Sequence, residues 1–328
     1  MSNTLKSSNT SLRHKKNKSP LDEFSKHRKY NQAIASYLIK DDLTRDIGIA
    51  ISNCSHRLNL EFELKNGHLS KGKLVNAFLC NRRLCPFCEW RRTRVWRARL
   101  IKGICSLQNE KPKTSAIFLT LTSRNCELSE LRETISHLHS SFKRLTLIHD
   151  FPTNFWFRRT EVTVSRNAIN GRPAYLPSLH PHIHCLLLVR PSYWTHGYWS
   201  KLRWQSEWQM AARLNYSPIV DIRRARVKNK NKYNLTDANI LGIIEAAKYS
   251  TKSADLLKLK ELLPQFHSEM RNLRLYGVSG GLQKYVSECD NERKYLLEES
   301  KLKGDFNESI FSAIAHWFND IEEYRFIV

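Results

Sequence analysis

No apolar run in the 328 residues approaches the ~20 that a membrane-spanning helix needs. That excludes a helical membrane protein. No amphipathic basic helix with a broad aromatic face is visible either, which sets an acidic membrane surface aside as the main partner. Met1 to Tyr30 carries the charge of a targeting peptide but lacks its apolar centre, so it does not read as a secretory signal. Rich in Ser, Asn and Lys, it is expected to be a disordered basic tail. Acidic residues are scarce: 31 Asp and Glu stand against 54 Lys and Arg, a formal charge of +23. A polyanion, nucleic acid first, is the partner this imbalance calls for. No internal repeat is present. Gly277-Val-Ser-Gly280-Gly281 lacks the Lys-Ser/Thr ending of a phosphate-binding loop. It reads as a turn, and no ATPase motor is encoded.

The eight cysteines do not form a disulfide framework of the secreted kind. Cys80, Cys85 and Cys88 are crowded at Cx4C and Cx2C spacing. Cys54 lies one β-hairpin upstream, because the strand-like Leu58–Leu64 and Lys73–Phe78, joined around Asn66-Gly67, would return the chain beside it. Four thiolates in tetrahedral reach make a structural Zn²⁺ site. Free buried thiols are the alternative, and His56 is a substitute ligand. Cys105, Cys126, Cys185 and Cys289 are scattered and read as packing residues.

Along the chain, residues 31–40 suggest a helix and 54–80 the hairpin. Pro86 to Gln108 reads as a basic helix, with Arg91, Arg92, Arg94, Arg97 and Arg99 beside Trp90 and Trp96; phosphate contact explains that density better than a solvated face. Ser115–Thr122 is a strand. Leu128, Leu131, Ile135, Leu138, Phe142 and Leu145 step by three and four, which predicts an amphipathic helix. Strands follow at Phe155–Val164, with Arg159, Glu161 and Thr163 on one face, and at Leu179–Val189. A helix over Trp199–Leu214, a strand over Pro218–Arg224 and a helix over Ala238–Lys252 complete the series. The order β-α-β-β-α-β-α predicts an α+β fold of ferredoxin-like type, its second and third strands paired and its helices on one face of an antiparallel sheet. Arg223, Arg224, Arg226, Lys228, Lys230 and Lys232 form a second basic block, either a DNA-tracking loop or a plain solvated one. Beyond Asp290, Ile310, Ile314, Trp317, Phe318 and Ile321 suggest a C-terminal helix without chemistry.

Two segments carry chemistry. His180-Pro181-His182-Ile183-His184 runs into Cys185-Leu-Leu-Leu-Val189, a buried strand. Side chains alternate along a strand, so the three imidazoles share a face, and two of them one pleat apart can grip a divalent cation. A satisfied polar pair is the bland alternative. In Glu245-Ala-Ala-Lys248-Tyr249-Ser-Thr-Lys252, a helix would put Glu245, Tyr249 and Lys252 on one face. A tyrosine between a lysine and a carboxylate suits a phosphoryl-transfer nucleophile; an amphipathic helix with a half-buried tyrosine anchor is the alternative.

Phe118-Leu-Thr-Leu-Thr122, His180-Pro-His182-Ile-His184 and Glu245-Ala-Ala-Lys-Tyr249-Ser-Thr-Lys252, in that order, resemble the three motifs of plasmid rolling-circle replication initiators. These belong to the single-tyrosine branch of the HUH endonuclease superfamily. Ala77-Phe-Leu-Cys80-Asn-Arg-Arg-Leu-Cys85-Pro-Phe-Cys88-Glu-Trp90-Arg-Arg resembles that family's cysteine-rich segment, and the similarity spans residues 35 to 285. The resemblance implies an RRM-like HUH core and a site-specific, metal-dependent nicking-closing endonuclease and strand transferase. Tyr249 would take a 5′-phosphate and free a 3′-OH primer. His182 and His184 would hold Mg²⁺ or Mn²⁺ with Glu161 as third ligand, and His180 would bind or orient. Lys252 would neutralise the phosphate and Glu245 activate a terminating water. The layout expected is a tail over 1–30, a zinc and basic-helix DNA-binding region over 31–110, the nicking domain over 111–285 and a C-terminal extension over 286–328. The implied partners are a plasmid origin with a single-stranded or hairpin nick site, a host helicase and a DNA polymerase, in a bacterial cytoplasm. A homodimer stays open. A relaxase or single-tyrosine transposase is the alternative enzyme, and a non-catalytic zinc-dependent DNA-binding regulator the alternative outside enzymes.

Overall fold

Two antiparallel sheets organise the protein in a computed structural model that describes residues 21–65, 68–69, 73–165, 177–224, 251–287 and 310–327. The first is centred on β1 (Arg57–Lys65), paired with β3 (Lys73–Ala77) on one edge and β9 (Ile310–Phe318) on the other. The short β2 (His68–Leu69) closes the hairpin on β1, and β10 (Glu323–Ile327) lies outside β9. The C-terminal helix expected around residue 310 is therefore replaced by two strands. Ile, Phe and Trp at those positions fit a helical stripe but favour a pleated surface, and the free edge of β1 decides between them. Ala315 and Trp317 are buried two residues apart, a strand's period.

Two helices, α1 (Asp22–Leu38) and α2 (Arg45–Asn53), pair with each other beside this sheet. α1 begins at Asp22, not near residue 31, so the expected tail ends earlier. The cause is tertiary: Phe24 packs on Phe87 and Trp90, and Glu23 accepts a hydrogen bond from Trp90 Nε1 at 2.9 Å.

The second sheet runs β7 (Val220–Arg224), β4 (Ser115–Thr122), β6 (Ser178–Val189), β5 (Trp156–Ser165), β8 (Tyr276–Val278), all antiparallel. Its four core strands stand in the order fourth, first, third, second, and β5 and β6 pair as expected of sequential strands. On one face α4 (Leu131–Thr146) and α5 (Lys201–Ala211) bury Leu138, Phe142, Leu145, Trp204 and Trp208 against Leu119, Leu121, Cys185 and Leu187. The opposite face is not bare. α3 (Pro86–Glu110) and α8 (Gly280–Ser287) lay Leu100, Ile104, Leu107 and Leu282 on Phe118, Phe157, Leu186 and Leu188. The expectation of helices on a single face is corrected accordingly. A strand apolar on both faces, as β6 is from Cys185 to Val189, has to be covered twice.

The glycine cluster is not a turn: Gly277 lies in β8 and Gly280 opens α8. A Cβ on Gly281 would stand 2.5 Å from the Asn154 carbonyl oxygen, so this helix start can approach the chain before β5 only without a side chain. Two short helices, α6 (Ser253–Leu259) and α7 (Leu263–Met270), pack against α1. Lys252 is extended (ψ 141°), so the expected Ala238–Lys252 helix does not reach its last residue.

Candidate active site

α3 and α8 cover only part of their sheet face. Towards the start of β6 the same row of side chains continues as His184, His182 and His180. Proline is rare inside a central strand because it cannot donate to the ladder. Pro181 sits where β4 has already ended, beyond the Thr122↔His182 pair, and its partner Val162 is on the other side.

The rings of His180 and His182 stack at 5.1 Å, and His182 meets His184 edge-on at 4.7 Å. Glu161 is the cross-strand partner of His182. Its Oε2 lies 3.0 Å from His184 Nε2 and 3.7 Å from His182 Nε2, while the two Nε2 atoms are 3.1 Å apart. The opposite ring nitrogens are both engaged. His182 Nδ1 faces the His180 carbonyl oxygen at 3.0 Å, which can only accept, so Nδ1 carries the proton and Nε2 is bare in the neutral ring. His184 Nδ1 meets Thr120 Oγ1 at 3.1 Å. His182 Nε2, His184 Nε2 and a carboxylate oxygen thus converge on one point, a donor set of the kind that holds a divalent cation. Among the described residues this is one of two groups able to hold a metal ion.

Burial pushes the Glu161 carboxyl up, but its hydrogen bonds to His182 and His184 outweigh that and hold it below the usual carboxylate range. Burial, with the neighbouring His182, lowers His180 to about 4. His180 Nδ1 is engaged by Asn125 Oδ1 at 2.9 Å, and it is not within the converging group. Lys252 Nζ stands 3.8 Å from Glu161 Oε1 on a largely exposed side chain. Tyr249, Glu245 and Arg226 lie outside the described residues.

The Phe118-Leu-Thr-Leu-Thr122 motif acquires a physical meaning here. Phe118 stacks on His184 at 5.3 Å and Thr120 binds its Nδ1, so β4 fixes that ring from its cross-strand position. A second support comes from beneath. Arg159, fully buried two residues before Glu161, donates from Nη2 to Glu89 Oε1 at 2.5 Å, and Arg92 Nη1 binds Glu89 Oε2 at 2.6 Å. Tyr276 OH adds a bond to Glu89 Oε1 at 3.3 Å. Sequence reasoning missed Glu89, Arg159, Asn125 and Thr120 as supports. Strand parity did put Arg159 on the face of Glu161, without showing what it grips; nothing local pointed to Glu89.

Glu89 follows the second group directly. Cys54, Cys80, Cys85 and Cys88 gather from the end of α2, the loop after β3 and the start of α3. Cys54 Sγ and Cys88 Sγ are 3.5 Å apart, Cys80 Sγ and Cys88 Sγ 3.7 Å. A disulfide needs ~2.05 Å, whereas a tetrahedron with metal–sulfur bonds of ~2.3 Å has edges near 3.8 Å. The thiols fit the second geometry. Backbone N–H groups of Cys80 and Cys88 point at Cys54 Sγ and Cys85 Sγ, both at 3.5 Å. Hydrogen bonds with Cys54 draw Cys80 and Cys88 down, and burial lifts Cys85. His56 is outside the group; it is exposed and its Nδ1 faces the Asn53 carbonyl oxygen. Cys126 and Cys185 are buried and Cys105 half-buried, and Cys289 lies outside the described residues.

The basic residues divide. Arg92 spends its donors on Glu89 and the carbonyls of Asn81 and Arg82, so it locks the thiol loop. Arg94 lies over the Trp90 ring at 5.1 Å. Arg91 and Arg97 are half-buried along α3. Arg223 and Arg224 belong to β7 and pair across to β4; Arg223 bonds Asp221 at 2.7 Å and Arg224 stacks on Trp194 at 4.4 Å. Among the described residues no helix is long and apolar enough to cross a membrane.

The fold and its two donor groups define an α+β protein of strongly basic charge, with a closed thiol cluster and a histidine–carboxylate group on an antiparallel sheet. Residues 71–325 match the Replication protein family, and the chain belongs to that family. It is 28% identical over 293 residues to "Protein rep" of Bacillus amyloliquefaciens, covering 84% of this chain and 83% of the relative. A "Replication protein" of Staphylococcus aureus is 30% identical over 230 residues, 66% of this chain and 92% of the relative. "Protein rep" of Streptococcus pneumoniae is 31% identical over 220 residues, 65% and 64% of the two chains. No solved structure matches the chain.

Proposed function

We propose that this protein initiates rolling-circle replication of a plasmid by nicking one DNA strand at the origin, as a single-tyrosine HUH endonuclease. The observation that carries the reading is the convergence of His182 Nε2, His184 Nε2 and Glu161 Oε2. Two imidazole nitrogens and a carboxylate oxygen within one ion's reach are a donor set that a divalent cation would fill. When bound there, Mn²⁺ or Mg²⁺ supplies Lewis-acid polarisation of a phosphodiester and offsets charge that develops on it. The phenol of Tyr249, with an ordinary pKa of about 10, is a poor nucleophile at neutral pH and depends on that help. Its oxygen forms a bond to phosphorus as the P–O3′ bond breaks, and the departing 3′ oxygen takes a proton. The products are a 5′-phosphotyrosine and a 3′-OH that primes synthesis by a host DNA polymerase, with a host helicase opening the duplex.

Lys252, whose ammonium already neighbours Glu161, is assigned to the phosphate charge. Tyr249 is three residues away along the chain, a backbone reach of at most about 11 Å. His180 and Thr120 orient the ligand rings, and Glu245 activates the water that ends the cycle. The thiol group fits Zn²⁺ in a structural role, holding the start of α3. Residues 111–285 form the nicking domain in this reading, with a ferredoxin-like core, and the protein works in the bacterial cytoplasm.

Incubation of the protein and Mn²⁺ with a single-stranded origin oligonucleotide should yield a covalent protein–DNA adduct, separable by denaturing electrophoresis. Tyr249→Phe should lower its formation by at least on the order of 10³-fold while binding persists. An adduct mapped to another tyrosine, Tyr233 or Tyr276 for example, would refute the assignment.

A further inference from the structure

Next to the histidine row lies a cleft of about 640 Å³, between the loop after β4 and the segment entering β7. That volume is within the ~300–1,000 Å³ usual for a bound small molecule or nucleotide. Its lining includes Arg124, Asn125, Ser178, His180, Tyr216 and Ile219. Arg124 is exposed, and its guanidinium lies over the Tyr216 ring at 4.0 Å. The Arg124 backbone N–H donates to Tyr216 OH at 2.8 Å, which pins the ring to the loop. Among the described residues no carboxylate pairs with Arg124. Ile219 is 75% exposed, an aliphatic face with no cover at the rim of a cationic cleft.

This combination of a flat cationic stack, an exposed aliphatic face and polar walls suits a ligand with a planar apolar part and an anionic one. Arg124 offers N–H edges to a phosphate, and an aromatic–guanidinium stack is a platform for a base. The cleft is also connected to the donor group. Asn125 Nδ2 donates to Ser178 Oγ at 2.7 Å, and its Oδ1 meets His180 Nδ1, whose ring stacks on His182. A phosphodiester at His182 and His184 would therefore have its neighbouring nucleotide at this cleft.

We infer that the cleft binds an unpaired nucleotide flanking the scissile phosphate, with Arg124 and Tyr216 as its positioning residues. The assignment rests on the nicking reading above. A base inside a duplex has its face covered by stacking, so the cleft selects single strands.

The test is fluorescence anisotropy in EDTA with a labelled single strand of about ten nucleotides, a length that single-strand sites span. Arg124→Gln should weaken binding about fivefold and reduce the slope of log affinity against log salt by about 0.7, the loss of one phosphate contact on a single strand. Tyr216→Ala should weaken it on the order of tenfold, and Tyr216→Phe, which keeps the ring, about twofold or less. Binding of the same sequence as a duplex should be unchanged in all three. If the unaltered protein binds the single strand in EDTA and attaches to it once Mn²⁺ is supplied, while Arg124→Gln and Tyr216→Ala bind it equally well, the cleft assignment is wrong and the nicking reading stands. If the unaltered protein neither binds the single strand nor attaches to it with Mn²⁺ supplied, both fall.

Discussion

The thiol cluster and the histidine–carboxylate group are about equally buried, yet they are built for opposite purposes. Cys54, Cys80, Cys85 and Cys88 supply four soft donors, enough to fill a tetrahedral shell, and backbone N–H groups brace two of the sulfurs. Glu161, His182 and His184 supply three donors from two adjacent strands, with an exposed lysine at the side. A hard divalent ion there would still need oxygen from water or phosphate. The closed set can only hold structure together; the incomplete set can take part in a reaction. Glu89 joins the two, since it follows Cys88 in sequence and grips Arg159 two residues from Glu161.

The contrast can be broken in four places. The largest effect should come from His182→Ala with His184→Ala, or from chelation. Cleavage should drop by on the order of 10³-fold or more, with origin binding and melting temperature nearly unchanged. Cleavage that continues in excess EDTA would make these histidines structural. Cys85→Ser should do the reverse. It should release about one Zn²⁺ per chain, measured by elemental analysis, and lower the melting temperature before any step of chemistry is altered. Freshly purified, reduced protein without zinc would end the structural assignment.

Glu89→Ala tests the bridge. Removing the carboxylate leaves Arg159 as a buried, under-compensated charge, at a cost of about 3–5 kcal/mol in unfolding free energy. Metal affinity at the histidine group, followed by Mn²⁺ titration, should weaken with it. Unchanged Mn²⁺ affinity would show two independent sites. The smallest effect on the first cleavage belongs to Glu245→Ala: a nicking rate within about threefold of normal, but concatemeric products, because no carboxylate remains to activate the terminating water. Unit-length circles from this variant would leave Glu245 with an ion-pair role worth only ~0.3–0.5 kcal/mol.

What could be read from the sequence was what a local period or a short loop determines. Parity along β6 put His180, His182 and His184 on one face, parity along β5 put Glu161 on the matching face, and one hairpin brought Cys54 back to the later cysteines. What could not be read depended on distant partners. Asp22 to Tyr30 resemble a solvated tail until Phe24 and Glu23 meet Phe87 and Trp90. Residues 310–318 have a helix's spacing until β1 offers an edge. Lys252 fitted the tyrosine helix by spacing, and only its extended backbone, turned towards Glu161, removes it. The doubly apolar run of β6 did carry the sign of a second helical layer, although the strand order alone suggested one.

The pairing of β1 with β9 sets a schedule for synthesis. Leu58 lies opposite Ala315, so one edge of β1 stays without its native partner while nearly the whole chain is being made. Contacts so far apart in sequence form slowly, because the closure entropy of the long loop is lost before the strands gain anything from pairing. The second sheet is complete by residue 278 and can assemble first as the chain emerges. A product truncated before residue 310 would contain the strands of the histidine–carboxylate group and still expose an unsatisfied strand edge, the kind of surface that proteases and aggregation act on. The β1–β9 pairing thus ties the first sheet to residues more than 240 positions away in sequence.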